Sequence, residues 1–134
     1  MARKFGADET INAKTQDVAT EAKTKGGADV VLDFVGISQT LTTALNCLKR
    51  RGRLVLMGYS HESFQAGTLQ LTYDSLQIMG SRASSRHELA QVIELAGEKK
   101  IEPIITGAFQ LNEINHALEL LAKGKILGRA VINP

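Results

Sequence analysis

The 134-residue sequence has a single cysteine, no tryptophan and only 4% aromatic residues. Because Cys47 has no partner for an internal disulfide and the chain does not begin with a hydrophobic export segment, we expect a reducing, cytoplasmic environment. The longest apolar runs, such as 30–32 and 54–57, are far shorter than the roughly 20 residues that cross a bilayer. We therefore predict neither a disulfide framework nor a membrane span.

An excess of charge of one sign is also absent, since 16 basic residues face 14 acidic ones and the formal net charge is +2. The densest basic run is Lys49, Arg50, Arg51 and Arg53, and no aromatic residues lie between them to stack on bases. We expect no nucleic-acid partner. The run is interpreted instead as a solvated helix end, where cations oppose the negative end of the helix dipole.

Motifs of several catalytic classes are missing as well. The sequence has no G-x-S-x-G, H-E-x-x-H or C-x-x-C, and no glycine-rich phosphate loop of the G-x-x-x-x-G-K-[S/T] or G-x-G-x-x-G type. His61, His87 and His116 lie far apart, and Cys47 falls among apolar residues of a predicted helix. We therefore predict no metal site and no catalytic residue, and interpret Cys47 as a small buried hydrophobe.

What the sequence does contain is an alternation of apolar strands and amphipathic helices, which is typical of a parallel sheet covered by helices. The nearly continuous apolar run 30–35 predicts a strand buried on both faces. Ser38 is the expected N-cap of the helix that follows it. The predicted strands are 28–36, 53–58, 76–80, 104–110 and 127–132, and the predicted helices are 17–25, 38–48, 85–97 and 112–123.

Three further local features carry predictions. The segment 59–72 has no clean periodicity and is expected to be a loop that folds over a ligand. Ser85 and Glu88 have the spacing of a helix capping box. The residues FGADETIN indicate a short strand that follows a loop.

Glycines stand at the carboxyl ends of three successive predicted strands, at Gly36, Gly58 and Gly80. In open parallel sheets, ligands bind against these strand ends. The three glycines are thus either points where the backbone approaches a ligand or ordinary turn residues, and the pattern alone leaves both possibilities open.

The ordered blocks of the sequence closely resemble the zinc-type alcohol dehydrogenases of the medium-chain dehydrogenase/reductase superfamily. The matching blocks cover almost the whole chain: ARKFGADETIN, GGADVVLDFVG, RRGRLVLMGY, LQIMGS, LAQVIELAGEKKIEPIIT, FQLNEINHALELLAKGK and LGRAVINP. The resemblance implies that residues 1–134 are an incomplete dinucleotide-binding domain. Its fold would be a partial Rossmann-like, doubly wound parallel sheet without the first two strands, the glycine-rich turn or the catalytic zinc domain.

The resemblance also implies cofactor contacts. In the family the turn after the fourth strand meets the adenosine side of NAD or NADP, the turns after the fifth and sixth strands meet the nicotinamide, and a late arginine faces the pyrophosphate. The matching residues here are Val35 and Gly36, then Met57, Gly58 and Tyr59, then Ser81 and Arg82, and finally Arg129. Zinc would be bound by the catalytic domain and not by this chain. NAD and NADP are not distinguished, because the residues that read the ribose have no match here.

The implied function is that of the C-terminal part of the NAD(P)-binding domain of an alcohol dehydrogenase-like oxidoreductase, with hydride transfer between an alcohol and the nicotinamide in the parent enzyme. The chain alone is expected to be inactive. Two alternatives stay open: a non-catalytic binding or assembly module derived from a dehydrogenase, and a part of a zinc-free quinone or enone reductase of the same superfamily.

A last expectation concerns assembly. In the family's strand order, the two strands that have no match here lie between ETIN and ADVVLDFVG. The strand ADVVLDFVG should therefore have one edge without a neighbouring strand. The opposite edge of the family's sheet commonly joins two subunits. We therefore expect homo-oligomers that form through sheet edges.

Overall fold

The computed structural model describes residues 2–134 and contains two compact units, the first ending at Ala83 and the second comprising Ser84–Pro134. Both units are α/β, and every strand pair in them is parallel. The fold class predicted from the sequence is confirmed, with the strands divided between two sheets.

The first unit has a three-stranded sheet in the order β1–β2–β3. The strands are β1 (Ala28–Asp33), β2 (Leu48–Leu56) and β3 (Gln77–Gly80), and the helices are α1 (Val18–Thr24), α2 (Ser38–Cys47) and α3 (Thr68–Tyr73). A short 3₁₀ turn, Ala2–Phe5, precedes them. α1 contacts α2, and α2 lies against β1 and β2, so these helices follow the strand–helix–strand pattern of the sequence.

The core of the first unit is aliphatic and forms where α2 meets the sheet. Leu54 in the middle strand is fully buried, and it clusters with residues from the apolar face of α2 and from the start of β2. The buried cluster is Leu41, Ala44, Leu45, Leu48 and Leu54. The helical spacing of these α2 residues is the reason that one face of the helix can be buried.

β1 is buried on one face only, so the prediction of burial on both faces is wrong. Val30 is 50% exposed and Leu32 is 51% exposed, whereas Val31 packs on the core and Asp33 is buried. In the described residues of this unit the helices cover only the face that carries Val31 and Asp33. The outer edge of β1 has no strand partner within residues 2–134, as the sequence predicted.

The predicted strand at ETIN is also wrong. Residues 9–12 are irregular, and Asn12 instead begins a turn: its carbonyl accepts hydrogen bonds from the N–H groups of Thr15 and Gln16, and its side chain accepts one from Lys14 N–H. Asparagine commonly begins turns in this way, because its side chain mimics a backbone acceptor. α1 then starts after Asp17, whose carboxylate caps Thr20 N–H.

Two expectations near β2 need correction. The basic run is not a helix end but the first half of β2, where Lys49 pairs with Asp29 and Arg50 with Asp74. The expected loop 59–72 ends early because α3 begins at Thr68, and Leu71 of this short helix packs against the core.

The second unit has a two-stranded parallel sheet of β4 (Ile105–Gln110) and β5 (Arg129–Asn133), with helices α4 (Arg86–Gly97) and α5 (Ile114–Ala122). α4 begins with the predicted capping box: the Ser85 hydroxyl accepts from Glu88 N–H, and the Glu88 carboxylate accepts from Ser85 N–H. A 3₁₀ turn, Leu111–Glu113, leads into α5. The predicted apolar faces of both helices keep large side chains exposed, among them Leu89, Val92, Ile93, Leu118 and Leu121.

Candidate functional site

The three strands of the first unit end at the same level. Asp33 is in register with Leu56, and Leu56 is in register with Gly80, so the carboxyl ends of β1, β2 and β3 form one even edge. The chain leaves that edge through three segments, 34–38, 57–62 and 81–83. The structure therefore brings together seven of the eight residues predicted to contact a cofactor: Val35, Gly36, Met57, Gly58, Tyr59, Ser81 and Arg82.

Asp33 connects the first two of these segments. Its Oδ1 atom accepts hydrogen bonds from the N–H of Val35 at 2.9 Å and of Gly36 at 2.6 Å. Its backbone carbonyl accepts from the N–H of Met57 at 2.8 Å and of Gly58 at 2.9 Å. One residue at the end of β1 thus satisfies four donors from the turns that follow β1 and β2.

Gly36 and Gly58 pack backbone to backbone between the same two turns. A Cβ atom on Gly36, which has φ +78°, would lie 2.5 Å from the Gly58 carbonyl oxygen, and a Cβ on Gly58 would lie 2.5 Å from the Val35 carbonyl carbon. Such distances leave no room for a side chain at either position. Gly80 differs, because a Cβ there would meet nothing within 4 Å. The close approach at Gly36 and Gly58 is therefore between the backbones of the turns that follow β1 and β2.

A second set of hydrogen bonds holds the segment after β2 against the start of α2. The Ser60 hydroxyl donates to the Gly36 carbonyl at 2.7 Å, and Glu62 N–H donates to the same hydroxyl at 3.2 Å. The Glu62 carboxylate accepts from Ser38 N–H at 2.9 Å. This explains why the expectation for Ser38 fails: the N-cap is Ile37, Ser38 is the first helical residue, and Glu62 replaces the capping side chain.

Asp33, Ser60 and Glu62 were not among the residues singled out from the sequence. Asp33 had a detectable signal, since it is the acidic residue at the end of an apolar strand, where a charge is costly unless it is hydrogen-bonded. Ser60 and Glu62 act across 24 residues of sequence, at a distance that no local pattern reveals.

The outer surface of the edge is apolar and aromatic, with one cation. Phe34, Val35, Met57 and Tyr59 are exposed, and Tyr59 retains 81% of its accessible surface. The Arg82 guanidinium carbon lies 5.9 Å from the centroid of the Tyr59 ring, which is within the range of a cation–π contact. Ser81 N–H donates to the Leu56 carbonyl at 2.8 Å, which fixes the third segment to the second strand.

Arg129, the eighth predicted residue, lies in the second unit at the start of β5. Its N–H donates to the Ile104 carbonyl at 2.8 Å, and its side-chain Nη1 donates to the Gly128 carbonyl at 3.2 Å. The side chain is exposed, so most of the guanidinium donors face outward. Beside it, α5 and β5 border a largely aliphatic cavity of about 410 Å³.

The remaining titratable candidates do not form a site. Among residues 2–134, no three His, Cys, Asp or Glu side chains are grouped so that they could hold a metal ion. Cys47 is buried between α1 and α2, and this burial, reinforced by the Asp17 carboxylate, raises the pKa of its thiol. In the described part of the chain, no helix has the length and apolar character needed to span a membrane.

Comparison with known proteins gives a consistent match. A family model described as zinc-binding dehydrogenase matches residues 5–132. The NAD-dependent alcohol dehydrogenase from Sulfurisphaera tokodaii is 31% identical over 99% of this chain. That from Sulfolobus acidocaldarius is 33% identical over 98% of this chain. The chain spans 39% of the length of each relative.

The solved structures agree with the sequence matches. The crystal structure of the alcohol dehydrogenase from the archaeon Aeropyrum pernix superimposes with a TM-score of 0.89 and 32% identity, over 99% of this chain and 39% of that protein. The chain thus corresponds to about two-fifths of the length of these relatives. With its sequence blocks, its parallel sheets and a family match over nearly its full length, the chain belongs to the zinc-binding dehydrogenase family.

Proposed function

We propose that the edge formed by the three strand ends contacts NAD or NADP in an alcohol dehydrogenase-like oxidoreductase, with the turn after β1 on the adenosine side and the turns after β2 and β3 at the nicotinamide. The observation that carries this proposal is the common level of the three strand ends, which gathers Val35, Gly36, 57–59, Ser81 and Arg82 on one surface. Carboxyl ends of parallel strands are where α/β folds bind nucleotides. Two NAD-dependent alcohol dehydrogenases are about one-third identical to the chain, which supports the same cofactor.

The hydrogen-bonding state of the edge fits a carboxamide. The N–H groups of Met57 and Gly58 already donate to Asp33, and Ser81 N–H donates to Leu56. These three N–H groups are therefore not free to bind a ligand, and a carboxamide NH₂ at these turns would donate to a backbone carbonyl. The exposed side chain of Tyr59 supplies apolar area for the nicotinamide ring, and the exposed side chain of Val35 supplies it on the adenosine side.

Arg129 is proposed to contact the pyrophosphate. Its guanidinium is always charged and offers a fork of donors that fits phosphate oxygens. Within the described residues, this side chain makes one hydrogen bond, to the Gly128 carbonyl. The Gly128 backbone holds the arginine in place, since Gly128 has φ +82° and its Cα packs against the Ile104 backbone, where a Cβ would collide. An exposed arginine that follows a tightly packed glycine has a fixed backbone position and is therefore suited to anion binding.

The parent reaction is proposed to be hydride transfer between an alcohol and the nicotinamide ring. Bound zinc would polarise the alcohol oxygen. Residues 2–134 do not fit a zinc ion, because they contain no cluster of suitable ligands, so no step of the reaction is assigned to metal ligands in this chain. The chain's own part is cofactor positioning. Because it spans 39% of its relatives, we expect the 134-residue chain to show no turnover by itself with NAD or NADP and a panel of alcohols.

Cofactor contact can be tested by NMR on the ¹⁵N-labelled chain titrated with NADH, nicotinamide mononucleotide and ADP-ribose. Nicotinamide mononucleotide should shift the amide resonances of Met57, Tyr59, Ser81 and Arg82. ADP-ribose should shift those of Val35, Gly36 and Arg129. Millimolar ligand that leaves all of these resonances in place, or that shifts only residues elsewhere, would contradict the proposal.

Variants make the titration specific. Arg129→Ala should weaken ADP-ribose and NADH binding but leave nicotinamide mononucleotide shifts largely intact, whereas Arg82→Ala should affect the nicotinamide ligands. Arg86→Ala is the matched control, because Arg86 is an exposed arginine at the start of α4 and is not among the proposed contacts. Equal losses in all three variants would show that binding is only nonspecific attraction to positive charge.

One observation favours a second candidate function, an assembly module without catalysis. β1 combines an edge that has no strand partner within residues 2–134 with an apolar face that leaves Val30 and Leu32 half exposed. Such a strand is a template for pairing with another chain. A chain that self-associates strongly but shows no cofactor-dependent shifts would support this function over the first.

A further inference from the structure

We propose that Asp33 is a positioning residue that fixes the two turns of the cofactor-binding edge relative to each other. The inference rests on the proposed function, since it concerns how that edge is held ready for a nicotinamide dinucleotide. Asp33 itself is 6% exposed, lies at the end of β1 and is not a contact residue. It acts through Val35, Gly36, Met57 and Gly58.

The burial of the Asp33 carboxylate is explained by its hydrogen bonds to the turn after β1. A carboxylate removed from water is costly unless hydrogen bonds replace its hydration. Its Oδ1 atom receives the N–H groups of both Val35 and Gly36, which are the donors presented by the turn after β1. Hydrogen bonds to a charged acceptor are stronger than neutral ones, so this turn is held in one conformation.

The main chain of the same residue fixes the neighbouring turn. The Asp33 carbonyl receives the N–H groups of Met57 and Gly58, which are the first residues after β2. The side chain of Asp33 therefore fixes the turn after β1, and its backbone carbonyl fixes the turn after β2. A change at the carboxylate that lets the first turn relax also displaces the surface against which Gly58 packs, because that surface is the Phe34 and Val35 backbone.

The segment after β2 also binds the turn after β1. The Ser60 hydroxyl donates to the Gly36 carbonyl and accepts a hydrogen bond from Glu62 N–H. Gly36 is thus bonded to Asp33 through its N–H and to Ser60 through its carbonyl. Of these two attachments the one to Asp33 is buried and the one to Ser60 is partly buried. Asp33 is for this reason the group whose loss should displace both turns.

The role can be tested with Asp33→Asn and Asp33→Ala. Asparagine keeps an oxygen at the Oδ1 position with weaker, neutral hydrogen bonds, whereas alanine removes the acceptor. In ¹H–¹⁵N spectra, the amide protons of Val35 and Gly36 should move upfield slightly in the asparagine variant and strongly in the alanine variant. NADH affinity should fall by about ten-fold or more in Asp33→Ala and by a smaller factor in Asp33→Asn, in line with the loss of hydrogen bonds to a charged group.

Asp29→Ala is the matched control, because Asp29 is an exposed acidic residue of the same strand that pairs only with Lys49. It should leave the turn resonances and NADH affinity unchanged. Hydrogen exchange at Leu54 and Val55 reports whether each variant keeps its sheet. If Asp33→Ala loses the sheet, Asp33→Asn decides the outcome.

Failure of this inference is distinguishable from failure of the proposed function. Wild-type affinity for NADH in a folded Asp33→Asn variant whose Val35 and Gly36 amides have moved would overturn the positioning role alone. A wild-type chain whose edge resonances do not respond to NADH would overturn the proposed function, and with it the positioning role.

Discussion

The backbones of Gly36 and Gly58 lie so close together that Gly36 has no space for a Cβ atom, and Gly58 has none because the Phe34 and Val35 backbone fills that space. Gly36 also has φ +78°, a conformation that favours glycine. A methyl group at position 58 would overlap the Phe34 and Val35 backbone, which has no flexible end to move away. We predict that Gly58→Ala forces the two turns apart and destabilises the first unit by about 1–3 kcal/mol or more, as overpacking does.

Gly80→Ala is the matched control for this prediction. Gly80 follows β3 at the same edge, but a Cβ there would meet nothing within 4 Å. Its effect on the free energy of unfolding should stay within about 1 kcal/mol. Urea denaturation of the three proteins tests the pair, and equal stability of Gly58→Ala and Gly80→Ala would show that the two turns can separate without cost.

Leu54→Ala should be the most damaging of the simple truncations in the first unit. Leu54 is 0% exposed, lies in the middle strand and contacts the apolar face of α2, so a smaller side chain leaves a cavity in the only fully buried position described. Large-to-small changes of this kind cost about 2–5 kcal/mol. Urea denaturation should show a large loss for Leu54→Ala and almost none for Leu69→Ala, because Leu69 is an exposed leucine of α3.

The elements that the sequence predicted correctly are those whose signal is local. The 3.6-residue spacing of Leu41, Ala44 and Leu45 marks α2, and Ser85 and Glu88 mark the start of α4 because both partners of the capping box lie within one turn. The parallel pairing followed from the alternation of strands and helices. The contact residues implied by the family resemblance stay a prediction, and seven of them lie at one edge of the first sheet.

The errors arise where distant residues decide the outcome. Ser38 was expected to cap α2, but the Glu62 carboxylate, 24 residues away, accepts its N–H. The apolar run 30–35 looked buried on both faces, whereas β1 is covered on one face only, since burial depends on which elements are present to cover a strand. Asp33 was missed for the same reason, because half of its hydrogen bonds reach residues after another strand.

The capping box of α4 makes the stability of the second unit depend on pH. Ser85 N–H donates to Glu88 at 2.6 Å, and the backbone and side-chain hydrogen bonds of Ser85 lower the pKa of this carboxyl below its usual 4.5. A folded-state pKa below the unfolded value means that the stabilisation is fully present above pH 4.5 and is lost as the pH falls through the folded pKa.

Glu88→Gln should therefore lower the thermal midpoint of α4 unfolding at pH 7, and the difference from wild type should shrink steadily below pH 4.5. Glu94→Gln is the control, because Glu94 lies in the same exposed helix and its side chain makes no capping contact. Circular dichroism melts between pH 2.5 and pH 7 measure the effect. A difference that stays constant over this range would mean that the Glu88 charge contributes nothing to the cap.

Self-association of the chain should occur through one of the two outer strands of the first sheet. β1 and β3 are the outer strands of the first unit, and both carry exposed apolar side chains, with Val30 and Leu32 on β1 and Ile78 and Met79 on β3. A lysine on an edge strand disfavours pairing with a second copy, because two like charges would face each other across the new ladder. If β1 is the pairing edge, Leu32→Lys should give a smaller species than wild type in light scattering across a dilution series, while Met79→Lys should not. The reverse result would assign association to β3, and a wild-type chain that is a monomer at every concentration would contradict association through either edge.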